Sequence, residues 1–94
     1  MPNRLKVEPM LSPNGIPVKD HFIVDTEFGK YYQGLRTERS IIAFIDAEGK
    51  VTLDRNYWHY PDPIEKNRER FLNEDDKVTE RKVQDGEYQL ADLN

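Results

Sequence analysis

The stretch TLDRNYWHYPDPIEKNRERFL, residues 52–72, decides the fold. Its opening belongs to a β pattern: Val51 and Leu53 are apolar on either side of Thr52, the two-residue period of a strand. Its end belongs to a helix, because Ile64, Phe71 and Leu72 fall on one face while Lys66, Glu69 and Arg70 point elsewhere. Between them, Asp62 reads as an N-cap, Pro63 as the first helical residue and Glu65 as the acid that reaches back at the third position. The chain therefore changes from strand to helix near Tyr60, and Pro61 holds Tyr60 away from helical angles. If residues 57–60 are extended, Trp58 and Tyr60 share one side and Tyr57 and His59 the other. Trp58 is then the natural plug between the sheet and the first helix.

Upstream, HFIVDT (residues 21–26) is rich in β-branched and aromatic residues and reads as a strand. A turn through Gly29, suited to positive φ, returns the chain as YYQGL, residues 31–35. A polar link, residues 36–39, leads to SIIAFI (residues 40–45), apolar on both faces and so central in a sheet. Residues 46–49 turn the chain again into the strand at Val51. Residues 1–19 carry Pro2, Pro9, Pro13 and Pro17 with a turn at Asn14-Gly15, a density that reads as an extended, poorly ordered arm. The expected domain is thus residues 20–94, with 1–19 outside it.

Downstream, Glu74, Asp75 and Asp76 open a second helix, and Arg81 and Lys82 sit in its last turns, as the helix dipole favours. Gly86 stops it. With only Val78 and Val83 apolar, this helix should be held by its ends. Tyr88, Leu90 and Leu93 form a docking tail or a short extra strand. The expected class is α+β: a three- to four-stranded antiparallel meander followed by two C-terminal helices.

Composition limits what such a domain can do. Apolar residues make up 36% of the chain whether tyrosine (5) or glycine (5) is counted with them. That lies below the roughly 45–50% of ordinary globular chains, so the aromatic side chains must supply much of a thin core. The absence of cysteine excludes disulfides, thiolate nucleophiles and cysteine-ligated zinc. The longest apolar run, residues 41–45, is too short to cross a bilayer, and a cytoplasmic protein without membrane contact is expected. The net charge of −4, with both signs interspersed, opposes non-specific binding to phosphates.

No catalytic motif emerges. Ser12 and Ser40 lack the glycine-framed elbow of a nucleophile, and no phosphate-cradling glycine loop exists. His21 and His59, with Asp20, Asp25, Asp54 and Asp62 as acids, could be imagined as a metal-dependent hydrolase, but no short-spaced ligand pair supports it. No enzyme, cofactor or metal is expected. Tyr31, Tyr32, Phe44, Tyr57 and Trp58 could stack bases, with Arg36 and Arg39 for phosphates, although Tyr31 and Tyr32 must face opposite sides of a strand. Core packing is the simpler use of the set.

The blocks HFIVDTEFGKYYQ (21–33), SIIAFID (40–46) with GKVTLD (49–54), NYW (56–58) with Tyr60, Arg68 with RFL (70–72), and GEYQLADLN (86–94) resemble small proteins carried by bacteriophages and mobile elements of Gram-positive bacteria. The resemblance covers residues 20–94. The chain departs from that group in its proline-rich HYPDPIE loop, which is more polar in similar chains. The resemblance implies no established activity, only a small accessory protein that modulates a host or defence protein. The expected function is therefore non-enzymatic protein binding, with Tyr57, His59, Tyr32, Arg36 and Arg39 as candidate binding residues. Single-stranded nucleic-acid binding through the sheet aromatics is the alternative. A homodimer through a sheet edge is a further expected possibility.

Overall fold

The computed structural model describes residues 5–35, 39–61 and 63–94. Six strands form one sheet in simple chain order. They are β1 (Leu5–Leu11), β2 (Pro17–Thr26), β3 (Gly29–Leu35), β4 (Arg39–Asp46), β5 (Val51–Asp54) and β6 (Gln89–Ala91). The first five pair antiparallel, and β6 joins β5 in parallel. A parallel neighbour needs a long crossover, and here helices α1 (Ile64–Leu72) and α2 (Asp76–Gln84) provide it.

The α+β class stands, but the sheet has six strands and mixed pairing where a three- or four-stranded meander was expected. The first extra strand has a physical reason. Pro2 lies outside the described residues, and the other three prolines of the expected arm each occupy a position that a sheet tolerates. Pro9 lies in an edge strand opposite Phe22, Pro13 sits in the connecting turn, and Pro17 is the first residue of β2. That turn closes through Ser12, whose N–H donates to Ile16 O (2.8 Å) and whose carbonyl accepts from Gly15 N–H (2.8 Å). The β1–β2 register slips between Pro9 and Leu11, with Asp20 at φ 67° on the opposite strand. At the other end, the tail around Leu90 takes the second of its two expected forms, a short extra strand of three residues, β6.

Cross-strand registers assign the faces. Glu8, Ile23, Tyr32, Ala43, Leu53 and Leu90 lie opposite one another across all six strands. Tyr32, Ala43 and Leu53 of this row are fully buried, and Ile64, Phe71, Leu72 and Val83 of the helices pack with them. The next row, Val7, Val24, Tyr31, Phe44, Thr52 and Gln89, also crosses six strands and faces the other way. Among the described residues the buried apolar set is small, consisting of Met10, Tyr32, Ile42, Ala43, Val51, Leu53 and Ile64. This is the thin core that the composition implied.

Gly29 behaves as its position required. Its φ is 144°, and a Cβ there would lie 2.2 Å from Ile45 O. The helix ends agree with expectation more closely at α2 than at α1. Asp75 caps α2 by accepting from Val78 N–H (2.9 Å), and Gly86 follows at φ 79°. Asp62 lies outside the described residues. Pro63 occupies the cap position before Ile64, not the first helical position, and no side chain among the described residues caps α1 there. The Pro63 carbonyl instead accepts from the backbone N–H (3.1 Å) and the side-chain amide (2.8 Å) of Asn67. Asn73 ends α1 in the left-handed region at φ 56°.

Candidate functional site

The aromatic loop is shaped by a buried acid. Asp54, fully buried at the end of β5, accepts four N–H groups. Its Oδ2 takes those of Asn56 (3.0 Å) and Tyr57 (3.1 Å). Its Oδ1 takes those of Leu93 (2.8 Å) and the Asn94 side chain (3.0 Å). One carboxylate thereby bends the loop and pins residues 93 and 94 to it. Asn94 also extends the sheet edge, since its amide accepts from Ile41 N–H (2.7 Å) and donates to Ile41 O (3.0 Å). Trp58 N–H returns to Asp54 O at 3.0 Å, so residues 55–59 turn and do not run extended. Trp58 and His59 then stack on each other, with centroids 4.4 Å apart and planes 12° from parallel, where an extended chain would have put them on opposite sides.

Beneath the loop lies Arg68, at 0% exposure the largest wholly buried side chain among the described residues. Its guanidinium is 5.4 Å from the Trp58 ring and donates to the Trp58 carbonyl and to the Asp76 carboxylate. It therefore ties the loop, α1 and the start of α2 together. Glu69 reinforces the joint by accepting from Asp76 N–H at 3.1 Å. Trp58 is half-buried against the core and fills the place beside α1 that its size suggested.

His59 meets α2 above this joint. Its Nε2 is 2.7 Å from Glu80 Oε1 and 3.8 Å from Asp76 Oδ2, with the imidazole about half exposed. His21 is elsewhere, buried on β2 with Nδ1 2.8 Å from Tyr32 Oη. Burial holds His21 below its ordinary pKa, outweighing the opposite pull of Asp20. Burial also raises Tyr32, against a smaller effect of Arg68. Burial thus disfavours the charged form of both partners of this hydrogen bond. The two histidines have separate partners and form no joint site.

The expected binding residues scatter. Tyr57 is half-buried, packed on the core and edge-on to Tyr60 (5.3 Å, 86°). His59 is exposed. Tyr32 is fully buried beneath the helices, so it packs the core and presents nothing to a ligand. Arg36 and the side chain of Arg39 lie outside the described residues.

The other face of the sheet carries no helix among the described residues. Tyr31 and Phe44 stack there (4.3 Å, 24°), both half-exposed, with Val24 beside them and Val7 55% exposed on the edge strand. On the helix side, a cleft of about 510 Å³ lies among Ile23, Ile45 and Phe71, with Asp25, Lys30 and Arg70 contributing both signs of charge. No helix among the described residues is long and apolar enough to cross a membrane. No known protein family, curated protein or solved structure matches the chain.

Proposed function

We propose that the chain is a non-enzymatic interaction protein that binds another protein on the open face of its sheet. Such a role fits the phage-type accessory protein that modulates a host or defence protein. The observation that carries the reading is the row Val7, Val24, Tyr31 and Phe44, which runs across four strands with no helix over it among the described residues. A solvated face of an antiparallel sheet is ordinarily polar, and contiguous exposed apolar surface marks an interaction site. Ile16 (62% exposed) and Leu11 (54%) in the β1–β2 hairpin add apolar surface along the same edge of the molecule. Aromatic residues of this kind anchor protein interfaces, because they bury much area at a small entropic cost.

Single-stranded nucleic-acid binding is less well supported. It loses Tyr32 to the core and retains a Tyr31–Phe44 pair whose rings already stack on each other. A net charge of −4 also works against a phosphate track.

The test compares tagged wild-type protein with the Tyr31→Lys/Phe44→Lys variant in capture from bacterial lysate, read by quantitative mass spectrometry. A protein partner retained at high salt by the wild type should fall at least about tenfold with the variant, the loss of a central anchor. Equal capture by both proteins overturns the assignment of the face, and a nuclease-sensitive signal transfers it to the nucleic-acid reading.

A further inference from the structure

We infer that His59, Asp76 and Glu80 form a binding site for one late first-row divalent cation, of which Zn²⁺ is the chemical type. Asp76 and Glu80 are four residues apart on α2, the spacing that aims two ligands from one helix face at a single point. His59 approaches from the aromatic loop and supplies the nitrogen. One ligand atom from each residue lies within 4.8 Å of the other two.

The distances suit such an ion. Ligand bonds of roughly 2.0–2.2 Å in a tetrahedral set put neighbouring donor atoms about 3.3 Å apart. The observed His59 Nε2 separations, 2.7 Å to Glu80 and 3.8 Å to Asp76, lie on either side of that value. Rotation of the Glu80 carboxyl group, on a side chain 38% exposed, is enough to admit the ion.

The surroundings hold the donors in place. Stacking on Trp58 orients the imidazole. Arg68 occupies Asp76 Oδ1 and leaves Oδ2 turned toward His59. This is the outer support that metal-binding carboxylates usually have. Two carboxylates against one guanidinium leave the site net negative, which favours a cation. The imidazole selects against Mg²⁺ and Ca²⁺, which take oxygen donors, and suits Zn²⁺, Ni²⁺ or Cu²⁺. The remaining coordination position faces solvent beside the exposed His59 ring. The bound ion would fasten the aromatic loop to α2 without using His21, which is buried against Tyr32.

The experiment is equilibrium dialysis of the full chain against Zn²⁺, with Mg²⁺ as comparator, together with Co²⁺ absorption to report coordination geometry. One Zn²⁺ per chain is expected, displacing a tetrahedral Co²⁺ band, with no retention of Mg²⁺. His59→Ala and Glu80→Gln, both at accessible side chains, should each weaken Zn²⁺ by at least about tenfold while circular dichroism stays native. Asp92→Asn, an exposed acid outside the cluster, should leave affinity unchanged. Zn²⁺ bound equally well by His59→Ala would show adventitious surface binding and overturn the site. A wild type that retains no Zn²⁺ at micromolar concentrations would leave His59 as a contact of Glu80 only, and would overturn it equally.

Discussion

Tyr31 and Tyr32 are neighbours in the chain and opposites in the molecule. Tyr32 points under the helices, has no exposure and bonds to His21. Tyr31 points away from them and stacks on Phe44 in half-open surroundings. The same contrast holds for the central strands: one face is closed by α1 and α2 and joined by buried ionic groups, while the other carries Val24, Tyr31 and Phe44 with no helix above them among the described residues. The stabilising residues and the proposed binding residues thus lie on opposite sides of one sheet.

Among variants that still fold, the largest single effect should come from the closed side. Arg68→Ala leaves Asp76 without its buried partner and removes the brace under Trp58, and a loss of about 3 kcal/mol is expected. Urea unfolding measures it, and a loss below about 1 kcal/mol, the range of a surface ion pair, would reduce Arg68 to that rank. Gly29→Ala comes next. Its φ of 144° and the 2.2 Å approach of Ile45 O to a new Cβ make a cost of about 2–3 kcal/mol the expectation, read from the midpoint of thermal unfolding.

Acid should then erode the closed side in two steps. Burial depresses His21 below its ordinary 6.5, so the unfolded chain binds that proton first. The associated stability is complete above pH 6.5 and falls as pH drops through the folded value. Glu74 behaves alike lower down. Burial alone would raise it, but hydrogen bonds from Thr79, Lys82 and Tyr88 outweigh this and set it below 4.5. Its contribution is present above pH 4.5 and is lost as pH falls through the depressed value. Unfolding free energies measured from pH 8 to 3 should show both limbs, and Glu74→Gln should flatten only the lower one. The smallest effect belongs to the open face. Tyr31→Ala removes a stacked pair worth about 1 kcal/mol and little else, so it should weaken partner capture far more than it weakens the fold.

Much of this architecture was legible in the sequence, and the failures have common causes. The β-rich runs at residues 21–26 and 31–35 and the run apolar on both faces at 40–45 reported β2, β3 and β4. The acid cap of α2 was equally plain at Asp75. Strand β1 was hidden because prolines were counted by density, although an edge strand, a turn and a strand start can each accept one. Arg68 and Asp54 were hidden for a different reason. Charged residues read as solvent-facing, and only tertiary structure shows that one guanidinium and one carboxylate are consumed by buried hydrogen bonds. The His59–Asp76–Glu80 cluster was not legible either: Asp76 reads as part of the acidic start of a helix, and His59 reaches α2 only through the turn that Asp54 imposes.

The most direct test of the two-faced sheet is a matched pair of substitutions, Tyr31→Lys and Tyr32→Lys, compared by urea unfolding under one set of conditions. The expected result is that Tyr31→Lys folds with stability within about 1 kcal/mol of the wild type, as surface changes do. Tyr32→Lys, burying an unpaired charge in place of a core aromatic, should not fold cooperatively at all. Equal losses in the two variants would mean that both faces are packed, and would contradict the account.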